Sequence, residues 1–196
     1  MVYESKAYFS RNRLLKTNYR KQKMEDIEDI IVNRVAKSGL VSLDLEDYYH
    51  SGERVLYDLK DNLFMGLILK EKDFRDFLKT HDWSQYTEKN VAITCTEDAV
   101  IPTWAYMLLA IHLEPFANTI VFGNLQDLEQ KLYNDALAKI NFEEYRGAKV
   151  VVKGCSKVAV PTTAYVEVTR RLKPYAQSIM FGEPCSTVPL YKKPKE

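Results

Sequence analysis

Residues 91–123 read VAITCTEDAVIPTWAYMLLAIHLEPFANTIVFG, and residues 150–182 read VVVKGCSKVAVPTTAYVEVTRRLKPYAQSIMFG. Matching residues of the two stretches lie 59 positions apart: Pro102 and Pro161, Tyr106 and Tyr165, Pro115 and Pro174, and Phe122-Gly123 and Phe181-Gly182. Cys95 and Cys155 are 60 positions apart, so the second copy has lost one residue between its cysteine and its proline. This spacing predicts an internal duplication.

Each copy has the sequence pattern of a strand, a helix and a second strand. A β-branched run comes first, and a proline then marks the start of a helix, where its missing N–H is not needed. The helix must end or kink at Pro115 or Pro174, and a second apolar run ends at glycine. We therefore predict an α/β fold: a single domain with a mixed, partly parallel sheet, built around two duplicated βαβ units at about residues 91–124 and 150–184.

The helices of the two copies differ in polarity. TWAYMLLAIHL in the first copy is apolar nearly all round, which predicts a buried helix. TTAYVEVTRRL in the second copy carries Glu167, Arg170 and Arg171, so one of its faces should meet water. Between the copies, regularly spaced leucines predict another helix, with Asn124 as its N-cap.

The rest of the chain divides into a basic arm, the domain and a short tail. Residues 1–23 hold seven Lys and Arg against Glu4 alone, and we expect a disordered arm there. The domain is predicted at residues 24–192, and residues 193–196 form the tail. Within the domain, apolar spacing predicts a helix around Ile27–Val35 capped by Gly39, strands in LVSLDLEDY, ERVLYDL and LFMGLIL, and a helix in KEKDFRDFLKTH.

Composition excludes several classes of protein. Of the 196 residues, 46% are hydrophobic, which indicates a folded globular chain. The net charge of +1 gives no reason to expect nucleic-acid binding. The sequence contains no run of 18 apolar residues, so it predicts no membrane-spanning helix. Three cysteines without a signal peptide indicate a reducing compartment, and we expect a cytoplasmic protein.

The three cysteines are the main candidate site. Cys95 and Cys155 follow the first strand of each copy, and Cys185 follows the last strand. Ligands of open parallel sheets bind outside the carboxyl ends of the strands, so three thiols at that edge predict a zinc or iron–sulfur site. Such sites usually have four ligands, and the candidates for the fourth are Glu183, Asp98, Glu97, His112 and an exogenous group.

Two other interpretations remain open. Cys185 is the candidate nucleophile if the chain is an enzyme, but the sequence identifies no histidine that could act as its general base. The sequence motifs of nucleotide-binding proteins, hydrolases and zinc proteases are also missing. An enzyme is therefore the less favoured interpretation. The chain could instead be a non-catalytic scaffold with structural cysteines, which binds a partner through the arm or Trp83.

Several phrases resemble an uncharacterised bacterial family known only as a domain of unknown function: LILKEKDFRDF, HDWSQY, VAITC, IPTWAYMLLA, VKGCS and IMFGEPCSTVPLYK. The likeness covers about residues 30–193. Members of that family are often encoded beside the SUF iron–sulfur assembly system. The resemblance thus implies an accessory factor of cluster assembly, with iron–sulfur assembly proteins as partners and a metal, a cluster or persulfide sulfur held by the cysteines.

Overall fold

The computed structural model describes residues 39–153 and 157–194. Within them the chain forms seven strands and four α-helices. The strands are β1 (Leu40–Asp44), β2 (Arg54–Asp58), β3 (Asn90–Thr94), β4 (Thr119–Phe122), β5 (Lys149–Lys153), β6 (Ser178–Glu183) and β7 (Ser186–Lys192). The helices are α1 (Glu71–Thr80), α2 (Thr103–Leu113), α3 (Leu125–Ala138) and α4 (Thr162–Leu172). The α/β class is confirmed.

The strands are divided between two sheets rather than joined in one. The first sheet has the order β1-β5-β6-β7, in which β5 and β6 are parallel and β6 and β7 are antiparallel. The second sheet has the order β2-β3-β4 and is parallel throughout. The mixed and the parallel character that the sequence predicts are thus both present, in separate sheets.

The described residues fall into two compact units. The first comprises residues 39–43, 143–153 and 172–194, and the second comprises residues 44–142 and 157–171. The predicted single domain over residues 24–192 and its boundaries stay a prediction. The basic arm, the helix predicted around Ile27–Val35 and Cys155 lie outside the described residues.

The duplication is visible in the elements themselves. The strand β3 and the strand β5 are 59 residues apart, and so are α2 and α4. Each copy opens with a short 3-10 turn, at Trp83–Tyr86 and at Phe142–Tyr145. The repeat therefore begins before residues 91 and 150, where the similarity in sequence starts. The predicted strand-helix-strand order of both copies is confirmed.

The core of the second unit lies on both faces of its parallel sheet. Successive side chains of a strand point to opposite faces, so Val91 and Ile93 pack with α1 and α2 while Ala92 packs with Leu128 and Leu132 of α3. The helix α3 begins at Asn124 as predicted, since the Asn124 side chain accepts hydrogen bonds from the N–H groups of Gln126 and Asp127.

Two local predictions are wrong. The helix α2 is not buried all round, because only Ala105, Leu109 and Leu113 are buried while Met107 and Ile111 are exposed. Apolar composition indicates burial only where another element covers each face of the helix, and no described residue buries Met107 or Ile111 on the outer face of α2. The segment LFMGLIL is a tight turn rather than a strand, because a short apolar run does not specify its conformation.

Glu167 on α4 should make stability depend on pH. The hydrogen bonds from Arg170 and Arg171 lower the pKa of the Glu167 carboxyl to about 2. A carboxyl whose pKa is lower in the folded state stabilises the fold at pH values above its unfolded-state pKa, about 4.3 for glutamate. This stabilisation is lost as the pH falls toward the folded-state pKa. We expect Glu167→Gln to reduce the free energy of unfolding at pH 7 by at most about 1 kcal/mol, since water screens the pair. The difference should vanish below pH 2 in urea unfolding measured across pH.

Glu71→Gln is the matched control, because the Arg75–Glu71 pair has the same helical spacing on an exposed surface. A Glu167→Gln effect that persists unchanged at low pH would contradict the assignment of the stability to the ionised carboxylate.

Candidate functional site

The carboxyl edge of the three-stranded parallel sheet gathers polar and thiol side chains from neighbouring strands. Asp58 ends β2, Thr94 ends β3 and is followed by Cys95, and Phe122 ends β4. These ends lie side by side because all three strands run in the same direction. The predicted position of Cys95, at the carboxyl end of a strand, is confirmed.

Asp58 joins the connection that follows β2 to the connection that follows β3. Its carboxylate accepts hydrogen bonds from the Thr96 N–H at 3.1 Å and the Thr96 hydroxyl at 2.6 Å, and from the Lys60 N–H at 3.1 Å. Burial alone would raise the pKa of Asp58, but these hydrogen bonds lower it below its ordinary value. Asp58 is therefore a fixed carboxylate that holds the loop carrying Cys95.

Cys95 is partly exposed within this loop. Its thiol lies 3.7 Å from the carbonyl oxygen of Glu97, a weak hydrogen-bond contact. The Tyr106 hydroxyl of α2 is close enough for its charge to interact with Cys95 and Asp58: burial raises the pKa of Tyr106, and these two groups raise it further. Tyr106 thus keeps its proton at neutral pH.

The Tyr106 ring forms one wall of the site. It meets the ring of Phe122 edge to face, with centroids 5.0 Å apart and planes at 79°. Phe122 itself is largely exposed at the end of the edge strand β4. The aromatic pair thus joins α2 to the end of β4 at this edge of the sheet.

An exposed apolar surface lies on the connections that follow β2 and β3, and the second of these also carries Cys95. We call it the carboxyl-edge patch, and its members are Phe64, Met65, Leu67, Ile68 and Val100. Met65 is 80% exposed and Val100 is 89% exposed. Phe64–Ile68 lies in the connection from β2 to α1, Val100 lies in the Cys95 loop, and a β-bridge between Ile68 and Val100 holds the two segments together.

The turn at the tip of the carboxyl-edge patch has an unusual backbone. The Leu67 N–H donates to the Phe64 carbonyl at 3.1 Å, and the two residues between them, Met65 and Gly66, have φ angles of 53° and 71°. Two positive φ angles are typical of a type I′ turn, which favours Asn, Asp or Gly at these positions. Met65 is thus a large apolar side chain presented to solvent by a strained backbone position.

The other predicted ligands have different settings. The prediction that Cys185 follows the last strand is wrong, because β7 comes after it and pairs with β6. Cys185 occupies the two-residue turn between these strands in the first unit, where it is exposed. Glu183 precedes this turn and lies 3.4 Å from the ammonium group of Lys153. Asp98 is exposed in the Cys95 loop. His112 lies near the opposite end of α2, stacked on Trp83, so the structure places it away from the thiol as a packing residue.

Over the described ranges, the structure contains no group of three or more His, Cys, Asp and Glu side chains placed to hold a metal ion. The predicted set of Cys95, Cys155 and Cys185 includes a residue outside those ranges and stays a prediction. None of the described helices is long and apolar enough to cross a membrane.

Comparison with known families decides where the chain belongs. A family described as protein of unknown function (DUF2480) matches residues 29–193, which is most of the chain. The chain belongs to the DUF2480 family. No curated protein and no solved structure matches it.

Sequence reasoning missed Asp58, Thr96 and Tyr106 in this DUF2480 chain. Their role depends on contacts across the edge of the sheet, such as the hydrogen bond from Thr96 to Asp58, 38 residues earlier. One sequence signal could have found Tyr106, because it matches Tyr165 in the second copy. Nothing in the sequence marks Asp58, since a carboxylate after a strand is common.

Proposed function

We propose that this chain is a cytosolic accessory protein of iron–sulfur cluster assembly, which docks on another protein through the carboxyl-edge patch and presents Cys95 as a carrier of sulfur or a metal ion. Cys155 and Cys185 are further candidate ligands of the same cargo. The observation that carries the proposal is the position of a partly exposed thiol in the loop that also supplies Val100 to the patch.

The size of the carboxyl-edge patch supports a protein partner. Its five exposed side chains present apolar area on the order of 600 Å², as much as the largest patch on a typical monomer. Interfaces of standard size bury roughly 800 Å² on each partner, so the patch with its polar surroundings is large enough for docking. A protein that covers Val100 and Ile68 is brought to the loop that carries Cys95.

Sulfur transfer to Cys95 needs no external oxidant. In the proposed step, the Cys95 thiolate attacks the outer sulfur of a persulfide on the donor protein. The S–S bond of the donor breaks, a new S–S bond forms on Cys95, and the donor leaves as a thiol after taking up a proton. In this step the protonated Tyr106 hydroxyl donates a hydrogen bond to the sulfur that arrives.

The proposal is tested first by the cargo of the protein itself. The full chain, purified without oxygen, should contain stoichiometric zinc, iron or labile sulfur, and Cys95→Ser should lose at least nine-tenths of it. Cys185→Ser shows whether the thiol at the β6–β7 turn of the first unit contributes to the same cargo. Metal analysis and labile-sulfide assay provide the readout, with circular dichroism to confirm folding. A protein without cargo that also accepts no sulfur from a donor would contradict the proposal.

The alternative function is a scaffold with structural cysteines. The carboxyl-edge patch favours it equally, because a docking surface needs no thiol. A partner that binds Cys95→Ser and the natural chain equally, with no sulfur or metal on either, would establish the scaffold.

A further inference from the structure

The two copies of the repeat allow an internal comparison at the amino end of the second unit's sheet. The Glu88 N–H donates to the Phe116 carbonyl at 3.0 Å, and 59 residues later the Gly147 N–H donates to the Tyr175 carbonyl at 3.0 Å. The bond from Asn118 N–H to the Lys89 carbonyl has a counterpart from Gln177 to Ala148, and both are 2.8 Å long. The backbone is therefore built the same way in both copies.

The left-handed position of this turn carries different residues in the two copies. Gly147 has a φ of 73°, which suits glycine, whereas Glu88 has a φ of 61° and a side chain that disfavours it. Since the second copy makes the same turn with glycine, the backbone does not require glutamate here. The strained position indicates that the carboxylate of Glu88 serves something other than the fold.

A second difference lies beside Glu88. Asn90 is completely buried, while its counterpart Lys149 is exposed. The Asn90 side-chain nitrogen lies 3.3 Å from Nδ1 of His50 and 3.4 Å from the Glu53 carbonyl, and its Oδ1 accepts from the Asn118 side-chain nitrogen at 3.0 Å. The side-chain amide groups of Asn90 and Asn118 are thus directed at other members of this network.

The loop before β2 is fitted closely onto this network. The Gly52 N–H donates to Nδ1 of His50 at 3.1 Å, and a Cβ atom at Gly52 would lie 2.7 Å from the Asn90 side-chain nitrogen. Arg54 fixes the same loop through its hydrogen bonds to the Gly52 carbonyl and to Glu129. His50 is therefore held in place by neighbours on three segments of the chain.

The network borders a cleft of about 370 Å³, lined by His50, Glu88, Phe116 and Asn118. Among its lining residues, Glu88 supplies a carboxylate and Phe116 supplies an aromatic ring. Glu88 is exposed and forms no ion pair with another described residue. Phe116 follows the carboxyl end of α2, where the helix dipole is negative.

From these groups we infer that the cleft binds an organic cation, an ammonium group on a short apolar chain. Glu88 pairs with the positive charge, and the Phe116 ring contacts the cation or its alkyl chain. The cation is either a free amine or a lysine side chain presented by a peptide, since both offer the same chemistry.

NMR titration of the isotope-labelled full chain tests the inference, with putrescine as the free amine and N-acetyl-lysine-N-methylamide as the peptide side chain. We expect saturable shifts of the His50 ring and of the Asn90 and Asn118 side-chain amides. Succinate, an anion of matched length, should cause none. The probe with the higher affinity identifies the source of the cation.

Glu88→Gly separates binding from folding, because it copies the residue of the second repeat. We expect an unchanged or higher melting temperature and at least a tenfold loss of affinity for the better probe. Glu53→Gln is the control, since the Glu53 carboxylate pairs with Lys89 and does not line the cleft, and it should bind normally. Unchanged affinity in Glu88→Gly, a lower melting temperature of that variant, equal shifts with succinate, or no binding of either probe would each overturn the inference.

Discussion

Replacing Trp83 with alanine is expected to lower the free energy of unfolding by about 3–5 kcal/mol. Trp83 is 7% exposed and lies between the rings of Tyr57 and His112, with centroids 6.2 Å and 5.2 Å away. Its indole N–H donates to the Leu78 carbonyl at 2.9 Å, so the substitution removes both packing and a buried hydrogen bond. Urea unfolding followed by circular dichroism measures the loss.

Trp83→Phe separates the two contributions. It keeps an aromatic ring but leaves the Leu78 carbonyl without its donor, so we expect a loss of about 1–3 kcal/mol. A Trp83→Ala variant as stable as the natural chain would show that Trp83 is not a core residue and would reopen its predicted role in binding a partner.

Leu109→Ala should reduce the free energy of unfolding by about 2–5 kcal/mol, because Leu109 is completely buried in the core cluster of the second unit. Met107→Ala on the same helix is the matched control. Met107 is 61% exposed, so its truncation should change stability by no more than about 0.5 kcal/mol. Urea midpoints of the two variants provide the comparison.

The contrast between these variants tests the outer face of α2. The sequence predicts that this helix is buried on all sides, and in that case Met107→Ala would cost as much as Leu109→Ala. Equal costs would therefore contradict the exposed face described here.

Local sequence patterns predicted the parts of the fold that depend on neighbouring residues. The strand-helix-strand order of both copies follows from β-branched runs, from Pro102 and Pro161, and from the glycines that end each copy. The Asn124 cap of α3 was predictable for the same reason, since its hydrogen bonds reach only two and three residues ahead.

Long-range pairing explains what the sequence did not predict. The strand β1 is a neighbour of β5, more than a hundred residues later, so the division into two sheets leaves no local signal. The same holds for the His50 network, whose hydrogen bond to Asn90 spans 40 positions. The sequence places Cys95 at the end of a strand. It does not predict the carboxyl-edge patch, because that patch depends on the long-range bridge between Ile68 and Val100.

Transfer of sulfur to Cys95 is the measurement that tests the central claim most directly. The full chain is incubated without oxygen with a cysteine desulfurase and cysteine, and the intact mass is followed with time. We predict the addition of one sulfur atom on Cys95, absent in Cys95→Ser and at least tenfold slower in the double variant Met65→Gln and Val100→Gln, which keeps the thiol but removes the apolar surface. Sulfur that arrives equally fast in all three proteins, or in none of them, would contradict the account.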